Sequence, residues 1–130
     1  MTFALLAGHQ YMNLETFKKT GQGVRTPIWF AADPSSPLDS PSAKLYVYTI
    51  DDTGKVKRIR NNAKVRVAPC DSRGKLLGEW ADARAGIVTR DEAALGTRLL
   101  NKKYFPLKQI LAFFASFSRR KRVIIAIQPA

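Results

Sequence analysis

Between Lys44 and Pro69 the chain reads KLYVYTIDDTGKVKRIRNNAKVRVAP, and this stretch limits the available folds more than any other. Leu45-Tyr46-Val47-Tyr48-Thr49 is β-branched and aromatic, the composition of a strand. Asp51-Asp52-Thr53-Gly54 is turn-forming. From about Lys55 to Asn62, Val56 and Ile59 are surrounded by Lys55, Lys57, Arg58 and Arg60, the pattern of a short basic helix. Lys64-Val65-Arg66-Val67 is the next strand. At the turn, the hydroxyls of Thr49 and Thr53 and the nearby cations meet the open N–H groups of a helix start. A helix N-terminus favours anions through those N–H groups and its dipole. The stretch is therefore a cradle for one phosphate group.

The remaining elements are arranged around it. Gln10–Lys19 is expected to be a strand with Met12, Leu14, Thr16 and Lys18 on one face. A turn at Thr20-Gly21-Gln22-Gly23 leads to a second strand, Val24–Ala31, and the two form a hairpin. Pro27 cannot donate to a ladder, so it marks an edge, a bulge or a close approach of ligand to backbone. Asp33–Ser42, with three prolines and four serines, is a loop. After a turn at Asp71-Ser72-Arg73-Gly74, Leu76–Val88 reads as a long strand with bends at Gly78 and Gly86. Thr89-Arg90-Asp91-Glu92 is a capping box. It opens a helix from about Asp91 to Tyr104 whose inner side carries Ala94, Leu95, Leu99 and Tyr104. Pro106 separates this from a second helix, Leu107–Phe117. Ser118–Arg122 is a basic turn, and Val123–Ile127 is a buried strand. The expected fold is mainly β: a split antiparallel β-barrel of about six strands, with a short basic helix between strands three and four and two helices before the last strand.

A chain of 130 residues, 45% of them apolar, is expected to be one domain over residues 1–130. Its net charge of +12 calls for anionic partners: nucleic acid, acidic lipid or a phosphorylated small molecule. One cysteine, Cys70, allows no internal disulfide and fits a reducing cytosol, and the longest apolar run is too short to span a bilayer. A cytoplasmic protein is the expectation. One histidine and one cysteine offer neither metal-ligand spacing nor a nucleophile–base pair. Asp51-Asp52, beside a basic helix, suits capping better than acid–base work. A catalytic role would therefore need a bound cofactor to carry the chemistry. The alternative is a non-catalytic cofactor-binding or nucleic-acid-binding module. Arg119–Arg122 would supply further charge and Trp29, Tyr46 and Tyr48 stacking faces for bases. The basic residues cluster at one turn and one tail instead of along an aromatic-lined face, so nucleic acid is the less favoured partner.

The order VRTPIWF, LYVYT, TGKVKRIRNNAKVRVAPCD resembles the pyridoxamine 5′-phosphate oxidase-like superfamily, the flavin-binding split β-barrels, and within it the F420-dependent oxidoreductase branch. The resemblance spans Tyr11 to Val88. It implies an oxidoreductase that moves a hydride between a bound flavin or deazaflavin and a small substrate. It also implies a homodimer with two cofactor sites at the interface. The cofactor would be FMN, or alternatively coenzyme F420, whose acidic tail suits a basic groove. Arg25, Thr26, Pro27 and Ile28 would run along the ring and ribityl chain. Tyr48 and Thr49 would lie beside the ribityl or phosphate, and Thr53, Gly54 and Lys55 would form the phosphate turn. Gly54 stands where a basic residue is common, and Lys57 or Arg58, one turn on, would compensate. The loop Asp33–Ser42 and the helix Leu107–Phe117 depart from the true pyridoxamine phosphate oxidases, which argues against that substrate. Haem, bound by some relatives, would find only His9 as an axial ligand.

Overall fold

The computed structural model describes residues 3–50, 54–104 and 122–130. Thr53, the expected helix Leu107–Phe117 and residues 118–121 of the basic turn lie outside these residues. Tyr11–Phe17 (β1) and Gly23–Trp29 (β2) form the expected hairpin, pairing Leu14 with Thr26 and Glu15 with Arg25. Gly21, at φ +90°, closes its turn by donating to Lys18 O. After Ala31–Ala32 (β3) and Leu45–Ile50 (β4) come a helix, Gly54–Asn61 (α1), and Lys64–Cys70 (β5). Ala81–Val88 (β6), Arg90–Tyr104 (α2) and Arg122–Pro129 (β7) complete the described elements. All seven strands form one antiparallel sheet in the order β2-β1-β5-β6-β7-β4-β3.

The two edge strands of this sheet, β2 and β3, are separated in the chain by Phe30 alone. A flat sheet of seven strands would hold its edges roughly 29 Å apart, so the sheet must curl into a split barrel. The expected single strand Val24–Ala31 is accordingly broken: the chain leaves one edge at Trp29 and joins the other at Ala31. The break strands backbone groups that a ladder would have paired, and Tyr104 receives them. Phe30 N–H donates to the Tyr104 hydroxyl at 2.9 Å. That hydroxyl lies 2.7 Å from Gln10 O and 2.9 Å from Phe30 O, between which its one proton is shared. Its ring stacks on Trp29 with centroids 4.8 Å apart. The edge position of β2 also explains Pro27, because alternate N–H groups of an edge strand face away from the ladder.

Lys103 closes the same corner. Its ammonium donates to His9 O at 3.0 Å and sits 3.5 Å from the centre of the Phe30 ring. Burial pushes its pKa down to about 8. The unfolded chain, with lysine near 10.4, binds more protons than the folded chain from about pH 8 to 10, so this group's contribution to stability rises with pH there. Above about pH 10 the sign reverses, because burial holds the Tyr46 and Tyr104 hydroxyls protonated past the usual tyrosine range. The melting temperature of the wild type is expected to climb relative to Lys103→Met between about pH 7.5 and 9.5. Parallel curves for the two proteins would refute this.

Inside the curl, Met12, Leu14, Val47, Val65, Val67 and Ile125 form the main core, and Ile59 of α1 closes onto it. Outside, α2 packs on β4 and β7 through Leu100 and Tyr104 against Tyr46, Ile124 and Ala126. The inner stripe of α2 differs from the expected one. Gly96, Leu100 and Tyr104 are buried, Leu95 and Leu99 flank them, and Ala94 is exposed. Gly96 sets this stripe by letting the helix close on the sheet. A Cβ there would meet Ile124 Cγ2 at 2.8 Å and Tyr46 Cδ1 at 2.9 Å. Gly96→Val is expected to cost about 1–3 kcal/mol by overpacking. A urea midpoint unmoved by the substitution would show that the contact is not tight.

The strand expected over Leu76–Val88 begins only at Ala81. Residues 71–80 instead fold back over the outer face of β1 and β5, held by single contacts to the ladder: a Cys70–Leu76 bridge and Leu77 N–H to Pro69 O. Gly74 takes φ +88° at the turn, and its carbonyl accepts from Asn13 Nδ2 at 2.7 Å. This cover is why Asn13 and Glu15 are as buried as Met12 and Leu14, so that β1 lacks the alternation of a strand with one wet face. In the first turn of α2, Glu92 reaches away from its own helix: its Oε2 accepts from Lys44 Nζ at 2.7 Å and Tyr46 Oη at 2.9 Å, tying the helix to β4.

Candidate functional site

Helix α1 follows β4 after a turn, and its amphipathic pattern forces its orientation: Val56 and Ile59 go into the barrel mouth, leaving the cations around the rim. Arg58 folds back toward the first turn. Its Nε donates to Thr16 Oγ1 at 2.6 Å, crossing from α1 to β1. Gly54 makes room for this, since a Cβ there would lie 2.6 Å from Arg58 Nη1. Lys55 is half-buried beside it. Burial first, and then the Arg58 charge, lower the Lys55 pKa. Among the described residues neither cation has a carboxylate partner. Two cations held together at a helix start, one of them disfavoured in its charged form, make a site that an anion would relieve. Gly54, Lys55 and Arg58 are thus brought together, as the sequence suggested. Thr49, at the end of β4, is buried and faces the barrel interior with Val47, whereas Tyr48 packs on the opposite, α2-facing side.

The β2 residues divide the same way. Thr26 pairs with Leu14 and Ile28 with Met12, on the face that also carries Thr16 and hence Arg58. Arg25 and Pro27 face outward, opposite Glu15 and Asn13. Arg25 is engaged there in a network that sequence reasoning missed. Glu15 accepts from Arg25 Nε at 2.9 Å and from Arg66 Nε at 2.6 Å, and both guanidinium groups lie 4.8 Å from the Trp80 ring centre. Burial would raise the Glu15 pKa, but the hydrogen bonds from Arg66 and Arg25 outweigh it and hold the carboxylate ionised below its ordinary range. The expected turn at Thr20–Gly23 hid this, because it would set Glu15 opposite Ile28; the turn falls at Lys18–Gln22 instead, and that register makes Glu15 and Arg25 cross-strand partners.

No group of three or more metal-ligating side chains occurs among the described residues, and no described helix is long and apolar enough to cross a membrane. Lys55 and Arg58 give the first turn of α1 a positive charge that burial makes costly.

The curled sheet with its helix at the barrel mouth is the fold of the pyridoxamine 5′-phosphate oxidase-like split barrels. A protein from Listeria innocua named for pyridoxamine 5′-phosphate oxidase is similar at TM-score 0.61 and 19% identity, over 97% of this chain and 88% of its own. An F420 reductase is similar at TM-score 0.59 and 21% identity, over 99% and 93%. HutZ, a haem storage protein from Vibrio cholerae, is similar at TM-score 0.65 and 13% identity, over 100% and 92%. No protein-family model and no curated protein matches the chain. The shared fold thus includes proteins named for an F420 reductase and for haem storage.

Proposed function

We propose that the chain is a flavin- or deazaflavin-dependent oxidoreductase, acting as a homodimer with two cofactor sites at its interface. One observation carries this reading: Lys55 and Arg58 converge on the glycine-opened first turn of α1, at the mouth of a split barrel. The residues fit a phosphate-bearing cofactor, FMN or alternatively F420. Lys55 and Arg58 would hold the phosphate with the α1 N–H groups. Thr26 and Ile28, on the same barrel face as Arg58's partner Thr16, would line the path toward the ring, and the main chain of the edge strand would lie alongside it. Tyr48 and Thr49, placed on opposite faces of β4, would serve different parts of the site. The bound cofactor would supply hydride transfer. The chain itself binds, orients and shields.

The test is a titration of the purified protein with FMN and, separately, F420, followed by visible absorbance. One of the two is expected to bind at micromolar dissociation constant or tighter. Failure of both overturns the proposal. The fold neighbours named above include a haem storage protein, so haem is titrated in parallel. A haem complex without flavin or F420 binding would move the chain to that class.

A further inference from the structure

Met12, Leu14 and Thr16 share the inner face of β1, and the first two belong to the main core. Thr16 is as buried as they are, at 1% exposure. A hydroxyl in such a place costs free energy unless it is hydrogen-bonded, and valine would fill the same β-branched shape without it. The hydroxyl is used: Thr16 Oγ1 accepts from Arg58 Nε at 2.6 Å.

The other end of the guanidinium sits where electrostatics alone would not put it. Like charge on Lys55 and the positive end of the α1 dipole both repel a cation at the helix start. Arg58 nevertheless lies there, its Nη1 2.6 Å from where a Gly54 Cβ would be. Its charge bears on Lys55, and the first turn of α1 carries no acidic residue to attract it. The Thr16 hydroxyl fixes it in place. With Nε bonded to β1, the Nη groups are the ones turned toward the first turn.

Resting on the cofactor reading of this turn, we infer that Thr16 is a positioning residue of the phosphate site, holding the Arg58 guanidinium from β1 with its Nη groups toward the anion. A long side chain ordered in the folded protein need not be ordered again on binding, which strengthens the complex. Gly54 completes the arrangement by leaving the guanidinium its space.

The test reads Lys55 by NMR of the full chain carrying 13C-labelled lysine, without added cofactor, its signal identified by its loss in Lys55→Arg. Thr16→Val releases the guanidinium, so the Lys55 pKa is expected to rise toward the ordinary lysine value. Thr16→Ser keeps the hydroxyl and is expected to titrate as the wild type. Gly54→Ala, at an exposed position, displaces Nη1 from the opposite side without touching the core, and is expected to raise the Lys55 pKa likewise. Inorganic phosphate is the anion probe. Its dissociation constant, read from the Lys55 signal, is expected to increase about tenfold in Thr16→Val and Gly54→Ala but not in Thr16→Ser, the scale of a lost charge-assisted contact. A merely structural threonine would lower the melting temperature and leave both readouts alone. No response of wild-type Lys55 to phosphate, an unmoved Lys55 pKa in either Thr16→Val or Gly54→Ala, or failure of Thr16→Ser to match the wild type would each overturn the inference. FMN and F420 titrations of the same preparations separate the two proposals. Phosphate binding that follows the Thr16 variants without binding of either cofactor supports the positioning role and overturns the oxidoreductase reading. Cofactor binding equal in Thr16→Val and wild type overturns the role of Thr16 alone.

Discussion

Lys55→Ala is expected to weaken binding of the phosphate-bearing cofactor by about 10- to 150-fold, the equivalent of ~1.5–3 kcal/mol for a charge-assisted contact. The direction follows from the unliganded site. Burial and the Arg58 charge already make the Lys55 ammonium costly, so the protein without cofactor should lose no stability on its removal. Only the complex suffers. A phosphate placed there favours the protonated amine and raises its pKa, so affinity is expected to fall as pH rises and Lys55 loses its proton. The absorbance titration of the variant across pH measures both effects. An unchanged dissociation constant would remove Lys55 from the site, and Arg58→Gln would then show whether its neighbour holds the phosphate alone.

Tyr104→Phe is expected to destabilise the fold by about 1–3 kcal/mol, close to the largest effect a single hydroxyl can have. The oxygen it removes receives Phe30 N–H and lies within hydrogen-bond distance of Phe30 O and Gln10 O. Phe30 is itself buried, so water replaces none of this cheaply. Amide exchange at Phe30 is expected to accelerate by more than at residues in the middle of β5 or β7, since the loss is at the seam. A variant whose denaturant midpoint and Phe30 exchange match the wild type would show that the hydroxyl is dispensable.

Several features of this fold could be derived locally. The β1–β2 hairpin, α1 and its apolar pair Val56 and Ile59, and the turn at Asp71–Gly74 each depend on residues close in sequence, where turn chemistry and periodicity decide. The convergence of Gly54, Lys55 and Arg58 was likewise within one helical turn. Three features were illegible for a common reason. The break at Phe30 depends on Tyr104, 74 residues away. The late start of β6, at Ala81, goes with Trp80 meeting Arg25 and Arg66. The inner stripe of α2 depends on how near Gly96 may come to Ile124 and Tyr46. In each, tertiary contact overrode a local pattern that was itself sound. The separation of Tyr48 from Thr49 onto opposite faces of β4 is different, since alternation alone required it, and a family pattern that groups the two hides it.

The place of β7 in the sheet governs the order in which the molecule can be made. It lies between β6 and β4 and is the only described strand that pairs the four-stranded piece β2-β1-β5-β6 with the pair β4-β3. Until residues 122–129 have been synthesised, both pieces expose a β-edge along their whole length, with Val47 on one and Ala85 on the other bared to solvent. Open edges of that kind invite pairing with other chains. Pairing β7 with β4 on one side and β6 on the other removes both edges together.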